Sequence, residues 1–474
     1  MALTLTKEKL TEIVGGDVAS TSEKMSFHGV VYDSREIQGG ELFVALPGAQ
    51  AHGHTFLDQA FSRGASLALI EDRRLLTDSP HKDRLVWVPD SLKAFWALAK
   101  WWREELNIPV LGVTGSVGKT TVKEIAAAIL LKQKRGVYSL KSHNNHVGVP
   151  YTICRIDRTH EWAVLEMGMN HAGELRALTA IAQPNVAIIT CIGPAHIENF
   201  GTLEGIARAK LEIAEGVRPG GKLVLNGDDP VLLKVAQELG RRGSSTHYFG
   251  GSGAPDMLVS GVTPKGLEGL GFTLTAGEGL GGGAVGATMS ILGRHNAQNG
   301  AAAALGVKLL FPEFTLEAIA QGLAAFQAPL MRLSIKILAN ERRVIDDSYN
   351  ANPQSMRAAL DIGRDLVESG LRVGLVLGDM LELGERSGEY HAEIGRYAAG
   401  INPEFCVAVG PLSAAIFSAV QGAGIPAFQA DSPEAAAHIA RKFPFDILIV
   451  KASRGTGLDR TVKTLVEREG GLGE

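Results

Sequence analysis

Only three cysteines occur in 474 residues. Cys154, Cys191 and Cys406 are odd in number and widely spaced, which argues against a disulfide framework and predicts reduced thiols in a cytoplasmic protein. Long apolar runs are missing as well. No uncharged stretch approaches the roughly 18 residues of a membrane span, and the N-terminus "MALTLTKEKLTEIVGG" has no basic segment leading into an apolar one, so neither membrane insertion nor a secretory leader is expected. No sign of charge prevails: 47 Lys and Arg stand against 51 Asp and Glu, a net charge of -4 without blocks of like charge. That balance provides no footprint for nucleic acid or an anionic membrane. Small molecules are the expected partners, and a monomer the expected state.

Glycine is plentiful, at 57 residues, and with 45% hydrophobic and 21% charged residues the composition is that of a globular α/β protein. At ~100–200 residues per domain the length implies about three domains. From Val110 onward short apolar runs alternate with helical ones: "VLGVTG", the stripe Val122, Ile125, Ala126, Ile129, Leu130, then "WAVLEMG", "VAIITCIG" and "KLVLNGDD". This is the pattern of a parallel sheet covered on both faces, with ligands at the carboxyl ends of its strands. A second such series runs through "RRVIDDSYNANP", "RVGLVLGDM", "FCVAVG" and "DILIVKAS", with Asn352 and Pro353 as N-cap and N1 of a helix. The expected architecture is therefore an N-terminal α/β module over residues 1–88, a central phosphate-loop parallel-sheet domain of the ATPase type over 89–328, and a C-terminal Rossmann-like α/β domain over 329–474. The run "GEGLGGGAVGAT" reads as a flexible turn between strands and not as a phosphate loop, because no strand is expected to lead directly into its glycines and no lysine follows them.

In "GVTGSVGKTT" a strand ends in glycines and a helix opens on Lys119, Thr120 and Thr121. Backbone N–H groups at such a helix start cradle phosphates, the lysine reaches the outer ones, and the hydroxyl reaches Mg²⁺. Gly115, Ser116, Gly118, Lys119, Thr120 and Thr121 are the candidates for this role. The strict motif would have a glycine where Val113 stands; here the glycines fall at Gly112, Gly115 and Gly118. Three other stretches are polar where strands should end: Glu166 in "WAVLEMGMN", His196 and Glu198 in "CIGPAHIENFG", and Asn144 and Asn145 in "KSHNNHVGVP". Singly each reads more readily as a surface or structural residue, but together with the phosphate loop they converge on one sheet edge, where Glu and His bind Mg²⁺ or orient a reactant.

The helix "LEGIARAKLEIA" poses a separate question. Helical spacing from Leu203 picks out Ile206, Ala207, Lys210, Leu211 and Ala214, five apolar positions counting Leu203 and one lysine. Either Lys210 lies at the margin of the stripe with its ammonium in water, or something holds it inward.

Taken in order, "TGSVGKTT", "LEMG", "GPAHIENFG", "ARAKLEI", "GRHNAQNGAAAALG" and "SRGTGLDR" resemble the ATP-dependent Mur ligases of peptidoglycan synthesis over nearly the whole chain. Within that family, "DSYNANPQSM" and "LGDMLELGERS" are similar to the branch that adds D-alanyl-D-alanine, and "DSREIQGGELFVALPG" to its uridine-diphosphate module. The resemblance implies an amide ligase acting through an acyl phosphate on UDP-N-acetylmuramoyl-tripeptide and D-Ala-D-Ala, with ATP and two Mg²⁺ ions. It assigns Lys119 to the ATP phosphates, Thr120 and Glu166 to one Mg²⁺, and His196 with a carbamylated Lys210 to the second, so that Lys119, His196 and Lys210 are the catalytic set. A carbamate gives the metals negative oxygens where an ammonium would repel them. Asn296, Arg332, Asp347 and Tyr349 are implied to frame the nucleotide, although "APLMRLSIK" lacks the Gly-Arg pair common in relatives. Ser34 and Arg35 are implied to meet the uridine-diphosphate end, in a module where His52 replaces a common acid, and Asn145 the sugar-peptide. Lys451, Ser453 and Arg454 fall to the substrate carboxylate side, and Asn350, Asn352 and Ser355 offer the dipeptide polar contacts beside the small Ala351. Two rivals stay open: the ligase adding the third peptide residue to the same precursor, and a phosphate-loop switch that couples hydrolysis to motion.

Overall fold

In a computed structural model of the chain, which describes residues 3–19, 25–48, 51–140, 142–240, 245–338 and 341–468, the apolar runs become strands of three main sheets. Val30–Val31, Leu42–Val44, Leu67–Ile70 and Leu85–Trp87 pair in parallel as a four-stranded sheet. Beside it a short antiparallel ribbon joins Thr4–Thr6 to Ser26–His28. Among the described residues no helix is long and apolar enough to cross a membrane.

The central sheet has nine strands. Its heart is Val110–Thr114, flanked in parallel by Val186–Ile189, with Thr114 opposite Ile189, and by Trp162–Glu166, with Val113 opposite Glu166. This register brings the loops that follow all three strands to one edge, as expected for a parallel sheet. Gly136–Tyr138 closes one side, and Lys222–Asn226 and Ser245–Gly250 extend the other in parallel. Beyond them the sheet turns antiparallel through Met257–Pro264, Leu270–Ala276 and Ala284–Met289. The glycine-rich run is, as expected, a turn between strands, but Leu270–Ala276 does lead into it and its last residues, from Ala284, belong to the next strand of an antiparallel hairpin.

One face of this sheet carries the helices Lys119–Leu130 and His295–Leu310. The stripe Val122, Ile125, Ala126, Ile129 and Leu130 is fully buried. Past its polar first turn the second helix is rich in alanine and glycine, which lets it lie close: a Cβ on Gly306 would meet Ile188 Cδ1 at 2.7 Å. Ser91–Leu106, Glu174–Ala182 and Leu203–Leu211 are helices too, and they share a second core with the N-terminal sheet.

The third sheet runs Ser334–Ile337, Arg343–Asp347, Ile447–Lys451, Val373–Gly378, Phe405–Val409, Ala427–Ala430, parallel except for its first strand. Asn352 caps the helix Pro353–Glu368 through a reciprocal box with Ser355, and Pro353 occupies the first turn, as the sequence predicts. Met356, Ala359 and Leu360 of that helix join the core that contains the phosphate-loop helix, so the C-terminal domain is docked on the central one by apolar packing. Cys154 and Cys406 are buried free thiols, and Cys191 is half-buried beside the phosphate loop.

Candidate active site at the central sheet edge

The turn out of Val110–Thr114 is opened by Gly115, at φ 149°, where a Cβ would fall 1.8 Å from Thr190 Oγ1. Gly118, at φ 87°, leads into the helix, and a Cβ there would meet Asn299 Oδ1 at 2.5 Å. Val113 is a buried mid-strand residue, so the motif's departure leaves the strand intact and moves the turn to Gly115. Ser116 fastens the loop to its neighbour: its N–H donates to Cys191 O at 2.9 Å and its hydroxyl to Gly193 O at 3.0 Å. Lys119 folds back so that Nζ donates to Gly115 O at 2.7 Å. Burial holds its pKa below the usual lysine value, against the pull of Glu166.

Glu166 ends its strand fully buried. It accepts from Thr120 Oγ1 at 2.8 Å and from Asn144 Nδ2 at 2.8 Å, while its own N–H donates to Ser139 Oγ at 3.1 Å. Lys123 stands 3.9 Å away but is engaged by Glu124 at 2.8 Å and by Ser139 O at 2.7 Å. A carboxylate and a hydroxyl in contact beside a phosphate-type loop form a hard-oxygen donor set that fits Mg²⁺.

Lys210 resolves the question posed by its helix. It is 2% exposed, on the same buried face as Ile206 and Ala207, and among the described residues it forms no hydrogen bond or ion pair. Burial, and then the charge of Lys119, hold its pKa well below that of an ordinary lysine. His196 lies in the left-handed region at φ 57°, and its Nδ1 lies against the carboxylate of Glu382, which reaches across from the C-terminal domain at φ 62°; the two form an ion pair when the imidazole is protonated. Burial lowers the pKa of the imidazole, Glu382 opposes this, and Lys119 and Lys210 lower it further. Unmodified, His196 and Lys210 are a poor metal site; with Lys210 as a carbamate they fit one.

Opposite the loop lies a cleft of about 120 Å³ closed by the C-terminal domain, lined by Lys119, Thr121, Asn296, Arg332, Asp347 and Tyr349 among others. The Arg332 guanidinium stacks 4.3 Å over Tyr349. Arg332 lies between Met331 and Leu333, two non-glycine residues at φ 62° and 57°, and Tyr349 N–H donates to Met331 O at 3.2 Å. Asn296 donates to Leu292 O at 2.7 Å and accepts from Asn299 at 2.7 Å.

Other expected residues are engaged locally. Lys451 is buried and turned inward, donating to Asp347 Oδ2 at 2.5 Å and Asn350 O at 2.9 Å, so it braces the turn that carries Asn350. Asn350 Oδ1 accepts from Ala351 N–H, and the side chains of Asn352 and Ser355 are taken up by helix capping. Ser453 Oγ bridges Leu381 N–H and Ala351 O. Arg454 pairs with Asp459 at 3.4 Å. In the N-terminal module Ser34 donates to Gln59 at 2.7 Å, Arg35 is held by Asp33, and His52 faces Glu71 at 3.4 Å. Asn145 Oδ1 accepts from Val147 and Gly148 N–H groups, a turn role, and Asn144 is the one that reaches Glu166.

Asn299, His295 and Glu382 are at the site but were not singled out from the sequence. The first two lie in the quoted "GRHNAQNG", where helical spacing places Asn299 one turn from His295 on the cleft side. Nothing in "LELGERS" distinguishes Glu382.

Residues 26–95, 113–307 and 331–454 match, respectively, the catalytic domain of the Mur ligase family, the Mur ligase middle domain, and the glutamate ligase domain of Mur ligases. The chain is 34% identical to the UDP-N-acetylmuramoyl-tripeptide--D-alanyl-D-alanine ligase of Bacillus subtilis (strain 168), over 98% of both chains. Its fold superposes on a crystal structure of MurF from Acinetobacter baumannii with a TM-score of 0.86 at 29% identity, covering 98% of this chain and 99% of the other. It also superposes on MurF ligase from Thermotoga maritima in complex with ADP, with a TM-score of 0.79 at 26% identity, covering 93% and 98%.

Proposed function

The chain belongs to the Mur ligase family, and from that membership we propose that it joins D-alanyl-D-alanine to UDP-N-acetylmuramoyl-tripeptide at the expense of ATP, releasing ADP and phosphate, in the cytoplasmic stage of peptidoglycan precursor synthesis. The observation that carries the reading is the meeting of the phosphate loop, Glu166 and the buried, unpaired Lys210 on the sheet edge that the C-terminal domain covers. Residues 1–88 hold the uridine carrier, with Ser34 and Arg35 near its diphosphate. Residues 89–328 hold ATP, with Asn145 toward the sugar-peptide. Residues 329–474 supply the nucleotide's edge through Arg332, Asp347 and Tyr349, and the dipeptide's surroundings through Asn350, Asn352 and Arg454, with Lys451 as brace. One copy of the chain contains all these groups, so a monomer suffices.

Lys119 binds the outer phosphates and the loop's N–H groups cradle the inner ones. Thr120 and Glu166 would hold one Mg²⁺, and His196 with Lys210 a second. Bound Mg²⁺ supplies charge neutralisation for phosphoryl transfer. Lys210, kept as a neutral amine by burial, adds to carbon dioxide and loses a proton, becoming a carbamate. The tripeptide's terminal carboxylate attacks the γ-phosphorus and ADP departs, leaving an acyl phosphate. The dipeptide's amino group, once its ammonium has given up a proton, attacks the acyl carbon, and the tetrahedral adduct loses a second proton from nitrogen and expels phosphate. The docked C-terminal domain excludes water from the acyl phosphate and brings the amine to it.

The test is mass spectrometry of products from ATP, D-Ala-D-Ala and nucleotide tripeptides carrying either meso-diaminopimelate or L-lysine. The expected product is the corresponding pentapeptide, with phosphate released only when both co-substrates are present. Preferential use of a single amino acid on the nucleotide dipeptide would reassign the chain to the third-residue ligase.

A further inference from the structure

Three features outside the described chemistry stand out. A cavity of about 1030 Å³ lies behind the Lys210 helix, lined by Leu211, Leu225 and Leu233 with Arg176 and Arg208 at its rim, but both arginines are already paired, with Glu215 and Glu238, and nothing specifies an occupant. Tyr151 bridges to Glu36 of the N-terminal module at 2.9 Å, a contact between domains without a vacant group. The third is Glu382.

Lys119 and Arg332 line the cleft as cations, and Lys451 lies there too, held by Asp347. The site's carboxylates are mostly committed. Glu166 is taken by Thr120 and Asn144, and Asp347 by Lys451. Glu198, beside Gly384, and Glu382 are less committed, and Glu382 is the one in contact with His196, its one partner among the described residues. It projects from the C-terminal domain, with a side chain 47% exposed, and the segments on either side are fixed. Asp379 accepts from Ser413 N–H at 2.7 Å, Met380 N–H donates to His391 Nε2 at 2.9 Å, and Leu381 N–H donates to Ser453 Oγ at 3.0 Å. Met380 and Leu383 are buried. The arm is held in place, and it presents one carboxylate to His196, whose ring lies within electrostatic reach of Lys119. The incoming dipeptide is a cation at its reacting end, and such an ammonium needs an anion to enter this field.

We propose that Glu382 is the receptor for the α-ammonium group of the incoming dipeptide, leaving His196 to bind it and so fixing the amine next to the acyl phosphate. This rests on the ligase reading above, and assays of the unaltered protein test that reading separately: if wild type does not consume D-Ala-D-Ala, the ligase reading fails whatever Glu382 does.

The experiment compares wild type with Glu382→Gln, varying each substrate in turn and measuring acyl-phosphate formation without amine by borohydride trapping. Propionyl-D-alanine, the dipeptide without its amino group, serves as a competitive inhibitor. Glu382→Gln is expected to raise the KM for D-Ala-D-Ala about tenfold or more, the loss typical of removing a charged hydrogen-bond partner. The KM values for ATP and nucleotide tripeptide, the trapped acyl phosphate, and inhibition by propionyl-D-alanine should stay unchanged. The proposal is overturned by an unchanged KM for D-Ala-D-Ala, by a parallel rise for all three substrates, by loss of acyl phosphate, or by propionyl-D-alanine weakening as much as the dipeptide.

Discussion

Replacing Glu166 with glutamine separates what this carboxylate does for the fold from what it does for the reaction. Its ion pair with Lys123 spans 3.9 Å, which at an effective dielectric constant of ~20 amounts to about 4 kcal/mol of attraction. Removing the charge also removes the desolvation cost of a buried carboxylate, a term of several kcal/mol with the opposite sign. Lys123 keeps Glu124 and Ser139 O as partners. The amide of glutamine can still accept from Thr120, and Asn144 can rotate its own amide to accept from the new N–H group. The hydrogen bonds survive, and the net stability change should stay within about 2 kcal/mol, a melting shift of at most roughly 4–8 °C for a domain of this size. Glu166→Ala lacks that compensation: Thr120 and Asn144 each lose a buried partner, at about 1–3 kcal/mol apiece, and it should melt well below the glutamine variant. Turnover should fall by at least about 100-fold in both, because charge neutralisation at the phosphates depends on the carboxylate. Calorimetry and coupled ADP release provide the two readouts. If turnover instead tracks melting temperature, with Glu166→Gln nearly as active as wild type, Glu166 is a structural acid and the metal assignment falls.

Lys119→Ala should abolish most turnover and leave the melting curve unchanged, since among the described residues its one side-chain hydrogen bond is to the loop carbonyl of Gly115; near-normal activity would remove Lys119 from the phosphate site. Lys210→Ala should be nearly inactive and partly restored by millimolar acetate or formate, which supply a small carboxylate to the vacated space, whereas Lys210→Arg should resist rescue because its bulk and charge remain. Rescue of neither variant, together with an unmodified Lys210 mass in the native protein, would refute the carbamate. His391 accepts from Met380 N–H through Nε2 and donates through Nδ1 to Ser387 O at 2.7 Å, and burial holds its pKa below 6.5. As pH falls below about 6.5 the unfolded chain therefore takes up a proton that the fold refuses, so this contribution to stability is complete above that pH and is lost below it. The melting temperature of wild type should drop more steeply between pH 7 and 5.5 than that of His391→Gln, and equal slopes would contradict the argument.

The sheet edge was legible because parallel strands place their following loops together, so three weak polar signals around Val110–Thr114 reinforced one another. Lys210 was legible for a similar reason: helical spacing fixed which face it shared with Ile206 and Ala207. Adjacent residues defeated the same logic. Asn144 and Asn145 differ by one position, and the turn geometry that spends Asn145 on Val147 and Gly148 leaves Asn144 to face Glu166. Glu382 was invisible because its meeting with His196 is made by domain docking and not by local pattern. The Ala284–Met289 strand was hidden by composition, since "AVGATM" is too rich in small residues to show a clear alternation.

The linker that carries Arg332 has one more consequence. Methionine and leucine at positions 331 and 333 sit in a backbone region that side chains of their kind avoid, at a cost of about 1–3 kcal/mol each, while the two large domains press together around a cleft of about 120 Å³. A space that small cannot admit a whole nucleotide, since ligand pockets run to roughly 300–1,000 Å³. The domains must part for ATP to enter and again for ADP to leave. The two strained positions flank the join between the domains, so any parting that relaxes them offsets part of the apolar packing of Met356, Ala359 and Leu360 that holds the domains together.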